Sequence, residues 1–275
     1  MALTKVIGNG LGAVAQDGAA TFNEGSADVD FRVESNGNTH MLFVQAGSDC
    51  LGIKTTSPND YYADDLVLTA PDEGGMTIVQ ATGHRGYLAF ADGTSGSQAY
   101  RGYISYDHND DTLYLGTDGG GKLLIDTTGA VTKPNQPAFL ATPASSQANI
   151  PINATTTVAF GTEIFDQNAD FNTSDYTFTA PVTGKYQLQY TATYNSPDPA
   201  TDYVEHILIT SNRNYQIVLD PDGFDTSPLY HTFNICVLAD MDASDTAYIR
   251  IGMNNSGSSQ MDISTSSYFS GYLVA

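Results

Sequence analysis

The chain has 275 residues and a formal net charge of -21, with 10 Lys+Arg against 31 Asp+Glu and only 15% charged residues. Its 41% apolar content, with 17 Tyr and 12 Phe, is too rich for a disordered chain. The acid excess argues against nucleic acid and anionic membranes as partners, because both are held by Lys and Arg. The acids are 26 Asp and 5 Glu, and Asp prefers turns where Glu prefers helices. An all-β chain is predicted.

In chain order, the opening Met-Ala-Leu-Thr-Lys-Val-Ile run breaks at Gly8. Neither a secretory signal nor a membrane span is visible there, so the expectation is synthesis in a cytoplasm and no membrane insertion. Gly8-x-Gly10-x-x-Ala13 superficially matches a dinucleotide loop, yet Gln16-Asp17-Gly18 follows it where a helix is required. Residues 28–33 alternate in polarity, 41–44 form a short apolar run, and Asn36-Gly37 between them is hairpin chemistry. Cys50 and Cys236 have no CxxC spacing and no neighbouring His cluster, and read as two buried thiols. Tyr103–Tyr106, Thr112–Leu115 and Lys122–Ile125 are separated by polar turns and read as a three-stranded antiparallel meander. The Asp107-His108-Asn109-Asp110-Asp111 turn could offer metal ligands, but its composition is that of a solvated turn.

Thr132 to Pro137 places two prolines between hydrophobic runs, as a short stiff connector does. The halves on either side carry similar charge, so the boundary rests on composition. Three segments follow: residues 1–30, a β-rich module of short antiparallel strands over 31–133, and a larger domain over 134–275. In the last, about eight strands are predicted, within 156–160, 176–178, 186–194, 204–209, 215–218, 230–238, 246–253 and 268–274. Eight strands in about 140 residues is the size of a jelly-roll sandwich. The strand over 268–274 is expected to be central to that domain, being apolar and free of Pro. Asp220-Pro221-Asp222-Gly223-Phe224-Asp225 has hard oxygen ligands in a short turn, with Asp220, Asp222 and Asp225 as the calcium candidates. It is not an EF-hand, because His231 stands where the twelfth-position Glu would be. The five histidines are scattered, and no catalytic constellation is legible from spacing.

Several motifs match known families. Pro137-Ala138-Phe139-Leu140-Ala141, Val158-Ala159-Phe160, the run Phe178-Thr179-Ala180-Pro181-Val182-Thr183-Gly184-Lys185-Tyr186 and a final Tyr268-Phe269-Ser270-Gly271-Tyr272-Leu273-Val274 resemble the globular head of complement C1q. The resemblance implies a trimeric jelly roll of the kind shared with the tumour necrosis factor superfamily. Arg101-Gly102-Tyr103-Ile104-Ser105-Tyr106-Asp107-His108, Thr112-Leu113-Tyr114-Leu115-Gly116-Thr117 and Leu124-Ile125-Asp126-Thr127-Thr128-Gly129-Ala130-Val131 resemble β-rich modules of bacteriophage tail fibres.

Together these resemblances imply a homotrimeric virion fibre, made in the host cytoplasm. Residues 1–30 would attach to other virion tail proteins, 31–133 would form a shaft, and the head would bind a host-surface glycan or protein. A capsid-decorating head fibre, a bacterial surface adhesin and a polysaccharide depolymerase are the alternative readings, and an enzyme is the minority one. No cofactor is required, and the loop chemistry admits Ca2+. The receptor-binding candidates lie in three loops rich in hydrogen-bonding groups: Asp198 and Asp202; Asp222, Phe224 and Asp225; and Asn254 and Asn255.

Overall fold

The computed structural model describes Gly25 and residues 28–195, 198, 200–223, 229–255 and 260–275. The attachment segment placed on 1–30 therefore lies almost wholly outside the described residues, as do Phe224 and Asp225, and of Asn255 only the backbone is described. All regular structure among them is strand or short 3-10 turn, and no helix there is long and apolar enough to cross a membrane. The chain forms two compact units, residues 1–79 and 80–275.

In the first unit, β1 (Phe31–Ser35) and β2 (Asn38–Gln45) pair as a hairpin closed at Ser35↔Asn38, so Asn36-Gly37 is the two-residue turn that its chemistry predicts. β3 (Cys50–Ile53) continues the antiparallel sheet, and β4 (Leu66–Leu68) adds parallel to β3. Phe43, Cys50, Val67 and Pro58 are buried on one side of it.

The second unit begins with a five-stranded meander of β5 (Arg85–Phe90), β6 (Gly102–Asp107), β7 (Thr112–Thr117), β8 (Gly120–Ile125) and β9 (Val131–Thr132). The three predicted strands are β6 to β8. Its buried side holds Tyr103, Ser105, Asp107 and Thr112. There Arg85 donates to Asp107 at 2.6 Å and lies 4.2 Å over the Tyr114 ring. The connector is tied to the domain that follows: Gln136 Nε2 donates to the Leu273 carbonyl at 2.5 Å, and Gln167 Nε2 to the Lys133 carbonyl at 2.7 Å.

That domain is a two-sheet sandwich. Its strands are β10 (Ala138–Thr142), β11 (Ala154–Thr157), β12 (Thr162–Asp166), β13 (Phe171–Asn172), β14 (Thr177–Thr179), β15 (Gly184–Asn195), β16 (Thr201–Thr210), β17 (Asn214–Leu219), β18 (Tyr230–Met241), β19 (Thr246–Asn255), β20 (Asp262–Ile263) and β21 (Tyr268–Leu273). One sheet has the order β12-β10-β21-β15-β18 with β20 on β15, and the other β13-β14-β19-β16-β17 with β11 on β19. The last strand is central, as its composition predicts.

Alternation builds the core. Tyr186, Leu188, Tyr190, Ala192 and Tyr194 of β15 face Val204, His206 and Leu208 of β16 and Ile249, Ile251 and Met253 of β19. Phe139 stacks on Phe171 and Phe178, at 5.0 and 4.8 Å between ring centroids, and meets Phe269 edge-on. Gly271 lets β21 close over this cluster, because a Cβ there would sit 2.6 Å from Leu188 and 2.8 Å from the Phe139 ring. The Ala180–Thr183 turn leaves β14 in one sheet and enters β15 in the other, so Pro181 marks a corner between sheets. Tyr186 Oη fastens that corner by donating to the Val182 carbonyl at 2.8 Å. One expectation fails. Cys50 is buried but Cys236 is exposed, because Ile235 points into the core and the alternation turns its neighbour outward.

Candidate functional site

Strand register decides which loops share a surface. Asn195 pairs with both Tyr230 and Asp262, Thr201 with Asn255, and Val204 with Leu219. The ends of β15, β17 and β19 and the starts of β16, β18 and β20 therefore lie together. All three loops chosen from sequence leave the sandwich at this one end. The opposite end carries Gly184↔Met241 and Thr210↔Ala247, and the connector meets the sandwich on that side, with Leu273 N donating to the Pro137 carbonyl at 3.0 Å.

Of the candidates, Asp198 turns its own loop, accepting from Ala200 N at 3.0 Å on its carboxylate and from Thr201 N at 2.9 Å on its carbonyl. Asp202 is exposed beside it. Asp220 Oδ1 accepts from Asp222 N at 3.2 Å, and the adjacent Asp220 carboxylate raises the Asp222 pKa. Among the described residues no group of three His, Cys, Asp or Glu is placed to hold a metal. In the Asp107 turn the carboxylate is committed to Arg85 and to Asn109 N, and both hold its pKa below the usual range.

The structure joins the candidate Asn254 to residues that the sequence reading missed. On the outer face of β16 and β19, just below the loop end, Asn153, Thr155, Tyr203, Glu205, Gly252 and Asn254 border an open depression of about 230 Å3. Tyr203 lies opposite Asn254, and Glu205 opposite Gly252. The Asn254 amide donates to Tyr203 Oη at 3.0 Å, and Gln216 Nε2 donates to Glu205 Oε2 at 2.6 Å. Gly252 leaves the floor low, since a Cβ there would come 2.5 Å from the Glu205 carboxylate. A half-exposed aromatic ring beside a carboxylate and amides is the equipment for stacking on, and hydrogen bonding to, a hydroxyl-rich molecule. The legible signal was Gly252, alone inside an otherwise alternating strand.

Beneath this face, His206 is stacked on Tyr194 at 5.5 Å between ring centroids and packed on Phe233 at 4.9 Å. Its Nδ1 is 3.3 Å from Tyr190 Oη. Burial, with His231 nearby, pushes its pKa down to about 3, so the ring is neutral.

Residues 138–274 match the family model for the C1q domain. The sandwich is a C1q domain. Among solved structures, the globular domain of zebrafish complement 1qA is 16% identical, with 51% of this chain and 98% of that chain covered and a TM-score of 0.39. Murine APRIL at pH 8.0 is 10% identical, with 51% and 100% covered and a TM-score of 0.38. No curated protein matches the chain in sequence. The C1q match begins at Ala138 and ends at Val274, so it takes in the full sandwich and leaves the meander and the first unit outside.

Proposed function

We propose that the chain is a non-enzymatic virion fibre protein, a homotrimer that binds a host-surface glycan or protein through the loop end of its C1q domain. In this reading residues 1–30 attach to other virion tail proteins, 31–133 form the shaft, and 134–275 are the head of a tail fibre assembled in the host cytoplasm. The observation that carries it is that the strand ends bearing three polar loops lie together at the end away from the connector, beside the Tyr203–Glu205–Asn254 depression. Loops on a rigid sandwich are where binding residues concentrate.

The test is binding of the full chain to host cells, with trimer mass measured in parallel by light scattering. Tyr203→Ala with Glu205→Gln, and separately Asp222→Ala with Phe224→Ala, are expected to weaken binding by about tenfold or more while mass and melting stay unchanged, the loss of about 1.4 kcal/mol or more. Unchanged binding in both double variants would move the receptor site off this end. Calcium at Asp220, Asp222 and Asp225 is tested in the same assay with EDTA, where a loss restored by Ca2+ supports it and indifference removes it.

A further inference from the structure

Two single-layer sheets outside the C1q domain share one design. In the meander, the register lines up Leu88, Ile104, Leu115 and Leu123 in one row across β5 to β8. The next row holds Tyr106, Leu113, Ile125 and Val131. These rows share the face away from Tyr103, Ser105 and Asp107, and Leu88, Ile104, Leu115 and Val131 are 41–56% exposed. The other face is partly covered, with Tyr100 of the 3-10 turn packed 6.5 Å from the buried Tyr103 ring while Tyr87 stays exposed.

The first unit repeats the arrangement independently. Val44, Leu51 and Leu66 form a row across β2 to β4, on the side opposite to the buried Phe43, Cys50 and Val67, and Val33, Leu66 and Leu68 are 45–51% exposed. None of the residues in these rows is charged.

We infer that both apolar faces are interfaces between copies of this chain, turned inward in the trimer so that each meets the same face of the other copies. This rests on the trimer of the reading above and assigns its contact surface outside the C1q domain. Three observations select a second copy as the occupant. First, at a net charge of -21 two copies repel wherever acids face each other, and these rows are surfaces on which no acid opposes another. Second, among the described residues the same exposed apolar face recurs in two separate units, as expected of modules that each meet their counterpart in another copy. Third, the sizes fit. Strands about 4.8 Å apart and residues about 3.4 Å apart make the five-stranded face on the order of 400 Å2 and the four-stranded face on the order of 300 Å2. Either one is the size of the largest apolar patch on a typical monomer, a patch that is often functional.

The experiment places pyrene maleimide on Ile104→Cys in the full chain carrying Cys236→Ser, with Tyr87→Cys, from the opposite face, as control. Light scattering reports the mass of each labelled protein. Trimer mass with an excimer-to-monomer emission ratio several-fold higher at position 104 than at 87 is the expected result. Trimer mass with equal ratios would overturn the interface and leave the trimer standing. Monomer mass would overturn both. Should the label at 104 prevent folding, the unmodified protein decides with anilinonaphthalene sulfonate: a trimer that leaves the dye dark has these faces covered, and one that brightens it strongly has them open.

Discussion

The C1q domain and the meander solve one problem in opposite ways. In the sandwich each sheet buries its inner face on the other, and Phe139, Phe178, Tyr186, Leu188 and Tyr190 lose essentially all contact with solvent. In the meander one face is partly covered by the short Gly96–Tyr100 segment, and the other presents Leu88, Ile104 and Leu115 outward. Alternation of apolar and polar residues creates a sheet, but only a second layer turns that sheet into a domain. The sandwich carries its second layer within the chain; the meander has half of one.

Phe139→Ala breaks the sandwich side of this comparison most severely. It removes the ring on which Phe171, Phe178 and Phe269 converge and is expected to cost about 3–5 kcal/mol in urea unfolding. A fragment of residues 134–275 should still fold on its own, as the boundary proposed at the connector requires; a fragment unfolded in circular dichroism would show that the sandwich depends on what precedes it. Gly271→Ala comes next, at about 1–3 kcal/mol, because the added methyl drives into Leu188 and Phe139.

Acid then separates the two regions by mechanism. His206 binds a proton at about 6.5 when unfolded but only near 3 when folded. Its stabilising contribution is therefore whole above pH 6.5 and is lost as pH falls toward 3, by up to about 1.4 kcal/mol per unit. His206→Phe should flatten the fall in melting temperature over that window. The meander has its own acid-sensitive group in Asp107, whose lowered pKa reflects Arg85 and the backbone of Asn109, and its contribution disappears only below the ordinary carboxylate range. Asp107→Asn is expected to lower the melting temperature modestly at pH 7 and to leave it unchanged at strongly acidic pH, since the pair is partly solvated. Smallest is Gly252→Ala: the clash is with the movable end of Glu205, so stability should shift by less than about 0.5 kcal/mol while binding to host cells drops.

Local chemistry alone makes the hairpin at Asn36-Gly37, the meander and the long strands β15, β16, β18, β19 and β21 legible in the residues. β12 escapes, because its Ile164 and Phe165 are both exposed and give no one-sided alternation, and two-residue strands such as β13 and β20 are too short to show any pattern. Cys236 is misread because a lone thiol says nothing about facing until its neighbour Ile235 is known to be inside. The shared end of the three loops depends on pairings such as Asn195↔Tyr230 and Thr201↔Asn255. No window along the sequence contains those. Likewise Tyr203 and Asn254 become one site only through strand register.

The corner at Pro181 and the paired strand ends opposite it divide the labour of the C1q domain along its long axis. Near the corner the fold is held by short-range hydrogen bonds: Tyr186 on Val182, Ala180 N on Asp245 O at 2.8 Å, and Ala243 N on Thr183 Oγ1 at 3.0 Å. The far end holds the strand ends at Asn195, Leu219 and Asn255, where each loop begins and ends on a paired strand. Insertions there lengthen a loop whose ends are held in place, at a closure cost that grows only slowly with length. That end of the domain is therefore a grafting platform: foreign peptide segments exchanged for any of the three loops should be displayed on an unchanged sandwich, and loop sequence can vary there without renegotiating the core.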